Sequence, residues 1–362
     1  MKPITKKKIG WGIMGPGRIA KEFAQCLQLL DDCYIAAVGS RSMENAKRFA
    51  AVYGGKPYGS YEEMLQDPDV DVVYIATPHM VHEESVILAA KYGKNILCEK
   101  PFAINRAQAE RMFEAADEAG VFIMEGLWSR FFPVWQEVKQ LLASGELGEV
   151  LSVDSATCFG WRMGPDGIPP EDRRVNINLA GGATLDAGIY ALAATSVAVG
   201  GLTKMPKKIY STMRFGGGVD DFTDMLLQLE GDISVHIACS HHRRNHEINI
   251  YCEKGSIHIP RHRNPTEYTV TRMGNSEGRL PRGESAREGD GTASWLEGSR
   301  VETRTLAFPR FGFQYEAAVV HDCLRRGLRH CPQALPEESL TLIGICDKVR
   351  ADNNFRYPFE KD

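Results

Sequence analysis

No apolar run in this chain approaches the roughly 20 residues that a membrane-crossing helix needs. Nor is there a basic excess, since 43 Lys and Arg stand against 47 Asp and Glu, a net charge of −4. Neither a membrane nor a nucleic-acid partner is therefore expected. Lysines 6–8 lead into a short glycine-punctuated run instead of a signal-peptide core, and a cytoplasmic protein is expected. The nine cysteines are scattered, odd in number and without a CxxC pair, which reads as buried free thiols in a reducing compartment. No serine stands in a GxSxG elbow, so no nucleophilic triad is indicated. His241, His242 and His246 lack a carboxylate or cysteine at ligand spacing, and Arg243 and Arg244 would repel a cation, so no metal is expected.

The stretch IGWGIMGPGRIA, residues 9–20, organises what is present. An apolar run stops at Gly15, Pro16 and Gly17, then gives way through Arg18, Ile19 and Ala20 to Phe23, Leu27 and Leu30 at helical spacing. Strand, tight turn and helix follow one another, with glycines where the turn and a pyrophosphate need them and a small residue where helix meets strand. An ordinary strand–helix turn is the alternative. The next strand, 34–38, ends in Gly39, Ser40, Arg41 and Ser42. NAD-binding domains usually place an acid there to hold the ribose hydroxyls. None stands here, and Arg41 between two hydroxyls suits a 2′-phosphate, which points to NADP; a solvated loop arginine is the bland reading.

A helix over 45–53, a Gly-Pro break and an amphipathic segment 61–65 come next. A buried strand over 70–76 ends in Thr77, Pro78 and His79, with His82 near the start of a helix over 81–92. Strand 95–98 stops at Glu99, Lys100 and Pro101. Asn105 caps a helix, with Gln108 at the capping-box position and Gly120 as terminator, and 121–124 closes the series. Alternating short strands and helices over 1–124 predict a doubly wound parallel sheet, with Thr77 to Lys100 contributing strand ends that face a cofactor. From 125 to 362 strand alternation dominates, predicting an α+β domain on a large, mostly antiparallel open sheet. Its helices fall at 131–142, 182–199, 315–326 and 337–350, its first strand at 150–159, and 274–300 reads as a polar excursion. One sheet face is mixed in polarity, either a subunit contact or simply wet.

Lys100, at a strand end beside the rigid ring of Pro101, can donate to a substrate oxygen, although a strand-end lysine is by default a surface charge. Asp186 and Tyr190 are four apart and share one helix face, with small Ala187 and Ala191 beside them. A phenol near an ammonium can exchange a proton with substrate, and Lys100 could be that ammonium; simple packing is the alternative. Trp128, Arg130, Trp161 and Arg162 are aromatic and basic residues near predicted domain junctions, candidates for substrate contact or for packing.

GIMGPGRIA, ATPHMVHEE, CEKPFA, EGLWSRFFP and GGATLDAGIY, in that order, resemble the Gfo/Idh/MocA oxidoreductases, and LWSRFFP with LDAGIY is most similar to the dihydrodiol and xylose dehydrogenase branch. The resemblance implies an N-terminal Rossmann domain, a C-terminal sheet that mediates homodimerisation, and hydride transfer between NADP and a sugar, polyol or vicinal diol. It implies that Lys100 is the EKP lysine, that Asp186 faces the substrate, and that Tyr190 donates and accepts the proton. Many relatives carry histidine where this chain has Tyr190. Two other functions share the architecture: a metabolite sensor that only binds NADP, and a glycoside hydrolase working on bound NAD.

Overall fold

The computed structural model describes residues 1–161, 168–273 and 299–360. The first part of the chain alternates β1 (Ile9–Met14), α1 (Arg18–Leu27), β2 (Cys33–Gly39), α2 (Met43–Tyr53), β3 (Lys56–Tyr58), α3 (Tyr61–Leu65), β4 (Val72–Ile75), α4 (His82–Lys91), β5 (Asn95–Glu99), α5 (Arg106–Ala119) and β6 (Ile123–Gly126). Its six strands are parallel in the order β3-β2-β1-β4-β5-β6. Every residue of β1, β4 and β5 is buried, as expected of strands covered by helices on both faces. The local signals act as read. The Asn105 side chain accepts from the Gln108 amide at 2.9 Å, and Gly120 ends α5 in the left-handed region at φ 66°. The Gly-Pro break, however, contains the short edge strand β3, where Pro57 is tolerated because only one side of the strand needs pairing.

The second part contains α6 (Pro133–Ala143), β7 (Val150–Phe159), α7 (Ile189–Ala198), β8 (Lys208–Gly216), β9 (Val219–Gln228), β10 (Ser234–Ser240), β11 (Arg244–Asn245), β12 (Ile248–Cys252), β13 (Gly255–Ile259), β14 (Glu267–Arg272), β15 (Arg300–Thr305), α8 (Phe313–Arg326) and α9 (Pro336–Asp352). The sheet runs β15-β14-β13-β12-β7-β10-β9-β8, with β11 on β7; every pairing is antiparallel except β7 with β10. Met225, Leu227, Val235, Ile237 and Cys239 face the core. The opposite face leaves Tyr210, Leu226 and Tyr251 exposed. Helix α7, every residue of which is buried, lies between this sheet and α9. Helix α8 returns to the first sheet: it packs on α1, and the Trp11 indole donates to Nε2 of His321 at 3.0 Å. Of the expected polar excursion, 274–298 lie outside the described residues and Arg300 opens β15.

The helix expected after Gly182 differs at its start. Thr184–Gly188 is a π-helical turn, and α-helix follows only from Ile189. Asp220 fixes this turn by accepting from both the amide and the hydroxyl of Thr184, at 2.6 and 2.7 Å. Such single-turn π segments widen the backbone locally.

Candidate active site

The strand order reverses between β1 and β4, and open α/β sheets leave a crevice at such a point. A cleft of about 1250 Å³ runs from there to the second sheet. Gly15 adopts φ +89°, and a Cβ on it would lie 3.2 Å from the Ala76 carbonyl and the Thr77 amide. Only glycine suits that position. Gly17 caps α1 without a side-chain hydrogen bond, and nothing lies within 4 Å of where its Cβ would be. The first-turn N–H groups of α1 therefore lack a capping side chain beside open space, an arrangement that fits a pyrophosphate.

Pro16, Arg18 and Ile19 line the same end of the cleft, and Ser40 and Arg41 line the wall beyond β2. Ser40 is buried and its hydroxyl accepts from the Ser42 amide at 3.2 Å. Arg41 is exposed and makes no hydrogen bond or ion pair among the described residues. An uncommitted guanidinium at the end of β2, with no acid beside it, fits a phosphate better than a bare ribose.

At the other end, Lys100 crosses from β5 to the start of α7. Its Nζ donates to the Asp186 carbonyl at 2.9 Å and to Asp186 Oδ1 at 3.1 Å, and lies 4.5 Å from the centre of the Tyr190 ring. Burial pushes the Asp186 carboxyl up, but the charges of Lys100, Arg173 and His241 outweigh it and hold the group well below the usual carboxylate range. Lys100 thus approaches Tyr190 over the ring face and not at the phenol oxygen, with Asp186 as the ammonium's hydrogen-bond partner. Tyr190 oxygen instead accepts from the Trp128 indole at 3.0 Å. Indole nitrogen is a donor only, so the phenol keeps its own proton for another acceptor. Trp128 is stacked at 4.6 Å on Phe313, which fixes the ring. Sequence reasoning picked out Trp128 but not this bond, because residues 62 apart carry no pairing signal.

The remaining strand-end residues Thr77, Pro78, His79, His82 and Glu99 all line the cleft, and the last three also brace it. His79 Nε2 lies 2.9 Å from the Ala180 carbonyl; burial first, then His82 and Arg173, hold its pKa down to about 3, so the ring is neutral and donates. His82 lies 2.9–3.2 Å from the carbonyls of Thr77, Pro101 and Phe102; burial holds its pKa down to about 4, so the neutral ring donates from one nitrogen only, and it links the ends of β4 and β5. Glu99 accepts from the Tyr74 hydroxyl and from the Lys100 amide, which orients the strand end from which Lys100 projects.

Arg130 is a correction. It does not line the cleft: its guanidinium is buried and donates to both carboxylate oxygens of Glu338 at 2.9 Å, while Ser196 donates to the same carboxylate. Trp161 does line the cleft, stacked 4.4 Å from Phe159 with the Arg174 guanidinium 4.4 Å over it. Arg162 lies outside the described residues. The three histidines diverge: His241 stacks on Trp161, His242 Nε2 meets Asp221 at 2.9 Å, and His246 neighbours Phe159. Sequence reasoning also missed Arg173, Arg244 and Arg263 on the cleft wall. The order of these residues along the chain gives no sign that β7, β11 and the turn after β13 converge there.

Residues 9–127 match the oxidoreductase family with an NAD-binding Rossmann fold, and residues 135–258 match the GFO/IDH/MocA C-terminal domain. The chain is 34% identical over 359 residues to the trans-1,2-dihydrobenzene-1,2-diol dehydrogenase of Sus scrofa, covering 97% of this chain and 98% of that one. It is also 34% identical to the Homo sapiens enzyme of the same name over 360 residues, again covering 97% and 98%. Among solved structures, the fold is similar to an aldose-aldose oxidoreductase from Caulobacter crescentus (TM-score 0.79, 23% identity, 96% and 98% covered). It is similar as well to KijD10, a 3-ketoreductase from Actinomadura kijaniata crystallised with NADP and TDP-benzene (TM-score 0.76, 23% identity, 95% and 97% covered). With both sheets, the cleft between them and both sequence matches in agreement, the chain belongs to the Gfo/Idh/MocA oxidoreductase family.

Proposed function

We propose that the chain is an NADP-dependent dehydrogenase or reductase, working between a hydroxyl and a carbonyl on a sugar, polyol or vicinal diol. Residues 1–124 are proposed to hold the cofactor and 125–362 the substrate. The observation that carries this reading is the meeting of Lys100 from the first sheet with Tyr190 from α7, an ammonium 4.5 Å from the ring of a phenol whose proton is uncommitted. The names of the curated relatives, dehydrogenases of a vicinal diol, support the substrate class. The presence of NADP with the similarly folded 3-ketoreductase supports the cofactor.

Gly15, Pro16, Gly17, Arg18 and Ile19 would hold the pyrophosphate, Ser40 and Arg41 the 2′-phosphate, and Thr77, Pro78, His79, His82, Glu99 and Lys100 the strand-end side. The bound cofactor would supply hydride to a carbonyl or take it from a carbinol. Tyr190 gives its proton to the carbonyl oxygen in reduction and takes the hydroxyl proton in oxidation. Trp128 stabilises the phenol oxygen in either direction by donating to it. Lys100 has two N–H bonds committed to Asp186 and a third free for the substrate oxygen. Asp186 keeps the ammonium in place.

The test is a turnover screen followed at the nicotinamide absorbance, offering aldoses, polyols and dihydrodiols with NADP and with NAD. Turnover with NADP on one of these classes is expected; none with either cofactor refutes the reading. The exposed face carrying Tyr210, Leu226 and Tyr251 is the proposed homodimer contact, and Leu226→Glu should yield a monomer by light scattering.

A further inference from the structure

The end of the cleft beyond Tyr190 is built by the second sheet and is basic. Arg263 projects there with its guanidinium 5.3 Å from the Phe159 ring and 5.6 Å from the Tyr190 ring. It is half-buried and donates no hydrogen bond to any described residue, and no carboxylate among them lies within ion-pair distance. Arg244 joins it from β11, opposite Phe159. Gly160, at φ +66°, makes that approach possible: a Cβ there would lie 2.9 Å from the Arg244 Cβ. Arg244 likewise has no acidic partner among the described residues. His246 lies 5.7 Å from the same Phe159 ring, with Nδ1 buried and without a hydrogen-bond partner among the described residues.

The field is strong enough to be felt by this histidine. Burial first, then Arg263, Arg244 and Arg261, hold its pKa down to about 4. Two of the other cations nearby are matched, Arg174 bidentate on Asp172 at 2.7 Å and Lys100 held by Asp186, while Arg173 on the cleft wall and Arg261 beside His246 add to the positive field. In a chain with a net charge of −4, guanidinium groups and an imidazole that have no partner among the described residues, gathered on one wall, are not a general surplus. Nor do they serve the cofactor phosphates, whose cradle at Gly17 and Arg41 lies at the first sheet. Stacking on an aromatic face leaves all five N–H donors of a guanidinium in plane and available.

We infer that Arg263 and Arg244 receive an anionic substituent, a carboxylate or a phosphate monoester, on the substrate, so that the enzyme acts on an acidic sugar or polyol in preference to its neutral counterpart. This rests on the assignment of the Tyr190 end of the cleft as the substrate site. The reacting carbon stands at Tyr190 and the anionic group lies on the side of Phe159, which orients the substrate as well as selecting it. Charge-assisted bidentate contacts of this kind favour the anion by about tenfold or more.

The experiment uses D-glucose, D-glucuronate and D-glucose 6-phosphate as matched probes on the full-length protein. Each is titrated calorimetrically into the NADPH-loaded enzyme and, separately, offered as a substrate with NADP. One or both anionic probes should bind at least about tenfold tighter than glucose. Arg263→Met should bring that ratio close to one, and Arg263→Lys should retain part of it. Which anionic probe wins separates carboxylate from phosphate. Equal or tighter binding of glucose, or an anion preference that survives in Arg263→Met combined with Arg244→Met, overturns the inference. Anion-selective binding without turnover upholds this inference and counts against the oxidoreductase reading, whereas turnover of neutral probes without anion preference does the reverse.

Discussion

The Trp128 bond to the Tyr190 oxygen offers a test that separates catalysis from packing. In the resting enzyme it joins two neutral groups at 3.0 Å, and such a bond contributes about 1 kcal/mol. When Tyr190 has given its proton to a carbonyl, the acceptor carries negative charge, and a charge-assisted bond is worth about 1.5–3 kcal/mol. The difference, about 0.5–2 kcal/mol, is present only when charge has developed, so Trp128→Phe should lower kcat by about 2- to 30-fold. Phenylalanine can keep the stacking on Phe313, so loss of ring packing contributes little. Tyr190→Phe removes the proton itself and should cost about 10²–10⁴-fold. The decisive variant is the double one: with no phenol oxygen to stabilise, Trp128→Phe should cost nothing further in the Tyr190→Phe background. Steady-state rates at saturating NADPH, followed by nicotinamide absorbance, measure all four corners of the cycle. A Trp128→Phe effect of equal size in both backgrounds would refute the argument, as would near-normal turnover in Tyr190→Phe.

Four further measurements address the other groups. Lys100→Met should lower turnover strongly while NADPH binding, followed by fluorescence titration, is largely retained; near-normal turnover would remove Lys100 from the mechanism. Arg41→Ala should weaken NADP far more than NAD, and an equal loss for both would exclude a contact to the 2′-phosphate. Arg130→Met leaves Glu338 buried without its cation and should cost about 3–5 kcal/mol in urea unfolding with KM little changed, whereas full stability with a raised KM would return Arg130 to the substrate. Glu125 is buried, and burial raises its carboxyl to about 7 against an ordinary 4.5. The folded protein then binds the extra proton between those values, so this group's contribution is fully present below about 4.5 and is lost as pH rises through about 7, a swing of about 3 kcal/mol. Glu125→Gln should flatten that part of the stability profile, and an unchanged slope would exclude the assignment.

What could be read from the sequence was what neighbouring residues decide. The β1 turn, the Asn105 cap and the Gly120 stop each depend on a handful of consecutive residues, and each forms as expected. Three-residue β3 was hidden because its pairing with β2, and not its own pattern, makes it a strand. The π-turn at Thr184–Gly188 was hidden for a related reason: Asp220, 36 residues on, holds the backbone there. Local propensity says nothing about a hydrogen bond from a distant strand.

The site divides in the same way, and the division has a physical basis. A phosphate cradle is made of backbone N–H groups, so its sequence signature is local and consists of glycines. A proton-transfer centre is made of side chains from separate elements: here β5 supplies Lys100, the segment after β6 supplies Trp128, and the π-turn and α7 supply Asp186 and Tyr190. Sequence order could nominate these residues but could not distinguish Trp128, which touches the phenol, from Arg130 two positions later, which turns into the core to meet Glu338. Both stand in one 3₁₀ turn, Trp128–Phe131, where successive side chains project in different directions. Thus the same short motif serves the reaction with one residue and fixes α9 with the other, and substitution at either would lower activity by a different route. Only paired measurement of stability and turnover tells the two routes apart.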